Sequence, residues 1–133
     1  MQKVAVTGAA GFIGGYVVGE LLGRGYDVIG LDDYSKYGPV RRSFDDHPRY
    51  TFVAGDARDP ELMTRLLADC DQLIAAAALV GGIAYFHARA YDLLAANERI
   101  TAATGDAAIR AYRAGRLRKV TWVSSSMVYE NAD

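Results

Sequence analysis

Thr7-Gly8-Ala9-Ala10-Gly11-Phe12-Ile13-Gly14 lies between a run of β character, Lys3 to Thr7, and a segment of helical character, Phe12 to Arg24. A strand, three glycines at three-residue spacing and then a helix is how a chain holds a dinucleotide pyrophosphate. Gly8 lets the chain leave the strand in a tight turn. Gly11 lets the backbone approach the phosphates, and Gly14 lets helix pack closely on strand. The amides of the helix's first turn, Phe12, Ile13 and Gly14, then face the anion together with the positive end of the helix dipole. Glycines alone are a weak signal in a Gly-rich chain; their position between strand and helix gives the signal its weight.

Working outward, 133 residues suit one domain with enough apolar content for a core. The net charge is −1, and the basic residues are spread along the chain without a dense block. Neither nucleic acid nor an anionic membrane is an expected partner. Cys70 is the sole cysteine, so a disulfide framework is impossible and a reducing cytoplasm is the expected location. No signal peptide is expected ahead of the first strand. The longest nearly apolar run, Leu73 to Phe86, has 14 residues and contains Gly81-Gly82. It is too short to cross a membrane and reads as a buried strand plus a loop. Neither His47 nor His87 has a spaced metal partner, so no metal site is expected.

Strand-like and helix-like segments alternate, which predicts an α/β fold with a doubly wound parallel sheet, the Rossmann fold. The expected strands are Lys3 to Thr7, Asp27 to Leu31, Tyr50 to Ala54, Leu73 to Ala77 and Val120 to Ser124. A polar loop, Asp32 to Pro48, follows the second strand. A short helix from Pro60 to Asp69 follows the third, with Pro60 in its first turn and Asp59 as its cap. A long helix, Arg89 to Ala114, is expected to be interrupted at Gly105. The fifth strand would be an exposed edge, for which Val120-Thr121-Trp122-Val123 is poorly suited. The expectation is therefore an incomplete NAD(P)-binding domain over residues 1–133.

Asp32 ends the second strand, 18 residues after Gly14. A carboxylate there accepts hydrogen bonds from both hydroxyls of an adenosine ribose and repels a 2′-phosphate, favouring NAD over NADP. The plainer alternative is a solvent-facing loop acid. Lys36, Arg41 and Arg42, in the loop that follows, are the groups that would instead hold a phosphate. Asp56 and the backbone at Ala57, after the third strand, can read the adenine amino edge. Small residues at Ala76, Ala77 and Ala78 allow close approach of a cofactor, although such a run is more often ordinary core.

Together these elements resemble the extended short-chain dehydrogenase/reductase family, the NAD(P)-dependent epimerases and dehydratases of nucleotide sugars. The features that carry the resemblance span the chain. They are the glycine motif at Thr7 to Gly14, Asp32, the Gly55 to Asp59 segment, Ala76 to Ala78, and the serine-rich end Ser124-Ser125-Ser126-Met127-Val128-Tyr129. The resemblance implies that Ser125 is the catalytic hydroxyl, bonded to the substrate hydroxyl or carbonyl where hydride is exchanged. An adjacent serine is its main rival, with Ser124 and Ser126 supporting backbone or cofactor contacts. It places Asn97 near the nicotinamide ribose, against the alternative of an ordinary surface asparagine. Many members dimerise through helices beside strands four and five, and Arg89 to Ala114 is the segment here suited to a homodimer.

The implied function is that of an NAD-dependent nucleotide-sugar epimerase or reductase, with a small-molecule substrate and transient hydride transfer between sugar and nicotinamide. Sugar 4,6-dehydratases typically carry Asp-Glu after the catalytic hydroxyl. Ser126 and Met127 stand here and cannot move those protons. The Gly81-Gly82-Ile83 turn resembles that of GDP-sugar epimerases. The alternatives are a non-catalytic NAD(P)-binding regulator, or a short-chain dehydrogenase acting on a non-sugar ketone. None of the nine tyrosines has a lysine four residues on, which is the family's acid/base pair. That pair and the C-terminal substrate domain are expected in further chain. These 133 residues alone are expected to bind NAD weakly and to show no sugar-dependent hydride transfer.

Overall fold

A computed structural model describes residues 2–125. Nine elements follow in order: β1 (Lys3–Thr7), α1 (Phe12–Gly23), β2 (Asp27–Asp32), β3 (Tyr50–Ala54), α2 (Pro60–Leu67), β4 (Gln72–Ala75), α3 (Ile83–Ala88), α4 (Ala90–Arg113) and β5 (Lys119–Trp122). All strand pairs are parallel, in the order β3-β2-β1-β4-β5. Thr7 is in register with Leu31 on one side and Ala75 on the other.

The alternation of β1 sorts the two faces of the sheet. Val4 and Val6 point to one face, where Val18 and Leu22 of α1 and Val28 of β2 complete a core. Ala5 points to the other, packed with Met63 and Leu67 of α2, Leu73 of β4 and Ala103, Ala107 and Ala111 of α4. A row of alanines lets α4 lie close to its neighbours. Covering both faces is what makes the middle of β1, Val4 to Val6, continuously apolar, as parallel strands inside a sheet require.

The helix ends follow local chemistry. Asp59 caps α2, its carboxylate accepting from the amides of Glu61 and Leu62 at 2.9 and 3.1 Å, with Pro60 in the first turn. The helix stops at Leu67, two residues before the expected end. Helix α4 runs without a break through Gly105, contrary to the sequence expectation. A Cβ at Gly105 would touch nothing within 4 Å, so the glycine neither turns the chain nor admits a neighbour. Gly81 and Gly82 are loop as expected, but Ile83 to Phe86, read as part of that loop, lie in α3, with Gly82 as its N-cap. Strand β4 ends at Ala75, leaving Ala76 to Ala78 as loop. Strand β5 begins at Lys119 and ends at Trp122, and each of its residues is exposed. Among the described residues, no helix is long and apolar enough to cross a membrane, and no group of three or more His, Cys, Asp or Glu could hold a metal.

Order reverses at β1. The chain moves outward through β2 and β3, then returns to place β4 on β1's other side. The connections leave the sheet in opposite directions there, opening a crevice beyond the strands' carboxyl ends.

Two glycines separate local strain from close packing. Gly105→Ala should stabilise the protein by about 0.5–1 kcal/mol by removing backbone freedom from a helix interior. Gly14→Ala should destabilise it by about 1–3 kcal/mol or more, because its Cβ would overlap the Gly8 carbonyl. Thermal melting of both variants checks this; equal shifts in the same direction would contradict the packing described.

Candidate functional site

A cleft of about 670 Å³ occupies the crevice, within the range of about 300–1,000 Å³ usual for small-molecule sites. It gathers almost every residue that sequence reasoning singled out: Gly8, Gly11, Phe12, Ile13, Gly14, Asp32, Asp56, Ala57, Ala76, Ala77, Ala78, Ser124 and Ser125 all line it.

The glycine loop is docked on the end of β2. The amides of Gly8 and Ala9 both donate to the Leu31 carbonyl, at 2.8 and 3.1 Å, and that of Gly11 donates to the Gly8 carbonyl at 3.0 Å. Ala10 N–H donates to Asp32 Oδ2 at 3.0 Å. Gly8 has φ +73°, and a Cβ there would press on the backbone of Ala76 and Ala77 at 2.9–3.0 Å. Helix α1 then starts at Phe12 with Gly11 as N-cap and no capping side chain. The amides of Phe12, Ile13 and Gly14 have no carbonyl four residues back within the helix. They form a cluster of outward donors at the positive end of the dipole.

Thr7 contributes a joint that the motif contained but sequence reasoning left without a role. Its buried hydroxyl accepts from the amides of Ala76 and Ala77, both at 3.2 Å. The two walls of the cleft, after β1 and after β4, are thus tied through one oxygen.

Asp32 has each carboxylate oxygen on a backbone amide. Oδ2 accepts from Ala10, and Oδ1 accepts from Tyr34 at 2.8 Å. Each oxygen retains further acceptor capacity. Tyr34 sits in the left-handed region, φ +60°, with its ring stacked on Phe52 at 5.0 Å. Such a conformation costs a bulky residue on the order of 1 kcal/mol, and here it turns the loop back over Asp32.

Each of the three loop cations has a partner. Arg41 pairs with Asp46, Arg42 Nη2 donates to the carbonyls of Ala10 and Gly11, and Lys36 Nζ reaches the Val80 carbonyl at 3.5 Å. Lys36 and Val80 both line the cleft, so this contact joins the loops after β2 and β4 across it.

Asp56 is gripped by Arg58, whose Nε and Nη2 donate to its oxygens at 2.7–3.0 Å and whose amide adds a third donor at 2.8 Å. These bonds, the side-chain ones foremost, hold the Asp56 carboxyl below its ordinary range.

Asn97 is not among the cleft's lining. Its side chain accepts from the Leu79 amide at 2.8 Å and donates to the Leu79 carbonyl at 3.0 Å, fixing a residue that does line it. The pairing is 18 residues apart, beyond any local pattern a sequence displays. Ser125 sits at the cleft beside Ser124; Ser126, Met127, Val128 and Tyr129 lie outside the described residues.

Known proteins are similar to this chain. The model of the NAD dependent epimerase/dehydratase family matches residues 4–133. The chain is 43% identical over 79 residues to a dTDP-glucose 4,6-dehydratase of Streptomyces antibioticus, a match covering 55% of this chain and 24% of that protein. It is similar to the structure of a UDP-glucose 4-epimerase from Bifidobacterium longum in complex with NAD+ and UDP. The TM-score is 0.83 at 30% identity, over 96% of this chain and 38% of that one. A double mutant of dTDP-glucose 4,6-dehydratase from Streptomyces venezuelae, with NAD and DAU bound, gives 0.82 at 32% identity, over 95% and 40%. The chain spans well under half the length of each.

The Asp56–Arg58 pair has a pH signature. Its folded pKa lies below the unfolded one, so its contribution is full above the ordinary carboxylate value of about 4 and fades as pH falls through the lowered value. Arg58→Ala should return the Asp56 carboxyl toward that ordinary range. Carboxyl carbon shifts followed through a pH titration read this directly; an unmoved midpoint would contradict the assignment.

Proposed function

The chain belongs to the NAD dependent epimerase/dehydratase family, and we propose that it forms the NAD-binding half of a nucleotide-sugar epimerase or reductase. The observation that carries this reading is one cleft shared by the bare first turn of α1, the Asp32 carboxylate and Ser125.

The cleft fits a dinucleotide. A side chain at Gly14 would overlap the Gly8 carbonyl and lift the helix off the loop, and one at Gly8 would push Ala76 away. The amides of Phe12, Ile13 and Gly14 would hold the pyrophosphate. Asp32, already aimed by two backbone amides, would accept from the ribose hydroxyls and repel a 2′-phosphate. Of the loop cations, Arg41 and Arg42 are held by Asp46 and by the glycine loop, and Lys36, which lines the cleft, reaches the Val80 carbonyl. Asp56 and the Ala57 backbone would bind the adenine edge, and Ala76 to Ala78 leave the wall thin enough for close approach. Asn97 would act on the nicotinamide end through its hold on Leu79.

NAD, when bound, supplies the group that takes and returns a hydride. The chain's own part is to orient the sugar and to exclude water. Ser125 would bond the substrate oxygen at the carbon being oxidised. Ser126 and Met127, where dehydratases typically have Asp-Glu, favour epimerase or reductase chemistry over loss of water.

In the full-length protein, Asp32→Ala should weaken NAD about tenfold or more while leaving NADP unchanged or improved. Ser125→Ala should lower turnover on the order of 10²-fold with NAD affinity intact. Calorimetric titration and steady-state kinetics check both. NADP bound as tightly as NAD by the unmodified protein would contradict the Asp32 assignment.

A further inference from the structure

We infer that Arg42 is a positioning residue for the pyrophosphate-binding loop, acting through the carbonyls of Ala10 and Gly11; this rests on the NAD-binding function proposed above. Arg42 lies in the irregular connection between β2 and β3 and returns to residues more than thirty positions earlier. Its Nη2 donates to Ala10 O at 2.8 Å and to Gly11 O at 3.2 Å.

Ala10 is therefore held at both polar atoms by one connection. Asp32, where that connection begins, takes the N–H; Arg42, farther along, takes the C=O. Gly11 O also accepts from Gly15 N–H at 2.9 Å, the first bond of the helix. A peptide unit is planar and trans, so its N–H points opposite to its C=O. Fixing the Gly11 carbonyl from behind fixes the Phe12 N–H in front, which is the first outward donor of α1.

Gly15 records the same contact from the helix side. The three-glycine motif ends at Gly14 and gives no reason for a fourth. A Cβ at Gly15 would lie 3.2 Å from Arg42 Cζ and Nη1, tighter than ordinary contact. The guanidinium occupies the space that the missing side chain leaves.

The arginine's own loop is anchored. Arg42 N–H donates to Asp45 Oδ2 at 2.8 Å, and Phe44 packs edge-on to Tyr50 at 5.1 Å against the core beneath α1. Arg42 Nε is buried and has no acceptor among the described residues. A half-buried cation beside the positive end of a helix is unfavourable until an anion arrives. Arg42 thus orients the donors and raises the positive potential they face.

The test uses the full-length protein and titrates NAD, ADP and adenosine into the unmodified chain, Arg42→Met and Arg42→Lys, with thermal melting of each. Arg42→Met should weaken NAD and ADP about tenfold and adenosine less than twofold. Arg42→Lys, which keeps the charge and one donor, should recover part of the ADP affinity. Gly15→Ala should weaken ADP in the unmodified background and have little further effect with Arg42→Met, as coupled sites do. Equal losses for ADP and adenosine, unchanged ADP affinity in Arg42→Met, or additive losses in the double variant would overturn the inference. Should the unmodified protein bind neither NAD nor ADP, the proposed function falls, and this inference with it.

Discussion

Helix α1 begins so close to the turn that follows β1 that no side chain fits at Gly14. A Cβ there would overlap the Gly8 carbonyl, so the rest of the site is arranged around that approach. Because the helix sits on the turn, the turn must be short, and Gly8 takes a positive φ to make it so. A short turn places its amides against the end of β2, where Leu31 O accepts two of them and Asp32 a third. Only the donors of the helix's first turn are left facing outward. The architecture spends the loop's polar groups internally and leaves the helix's own for an anion.

The opposite wall depends on the same economy of space. The strand order reverses at β1, so the chain after β4 must pass beside the chain after β1. Small residues at Ala76 and Ala77 make that possible, and the Thr7 hydroxyl joins the walls without filling the gap. Asn97 performs a comparable service farther out, tying the Leu79 backbone to α4. A long helix without a break at Gly105 is suited to this, because it carries the asparagine on the same rigid body that packs against α2.

Much of this was legible in the sequence for a physical reason: the decisive residues act over short separations. Gly8, Gly11 and Gly14 are spaced by the geometry of one turn, Asp32 by the length of one helix and strand, and Asp59 caps the helix that starts beside it. What was not legible acts at a distance or by fit. Arg42 and Asn97 find partners across the fold, and nothing in their neighbours announces it. Gly105 looked like a break because glycine disfavours helices in isolation, but tertiary packing on α2 overrides that preference. The residues after Gly81-Gly82 read as loop, and only the structure shows the short helix α3 beginning at Ile83.

The central claim is that the first turn of α1 is the anion-binding end of an NAD site. An amide-resolved NMR titration of the isotope-labelled full-length protein with NAD tests it most directly. The account predicts saturable shifts that are largest at Phe12, Ile13 and Gly14, with further shifts around Asp32 and Ala76 to Ala78. Shifts confined to the outer face of α4, around Tyr91 and Leu94, with the first turn of α1 unmoved, would contradict it.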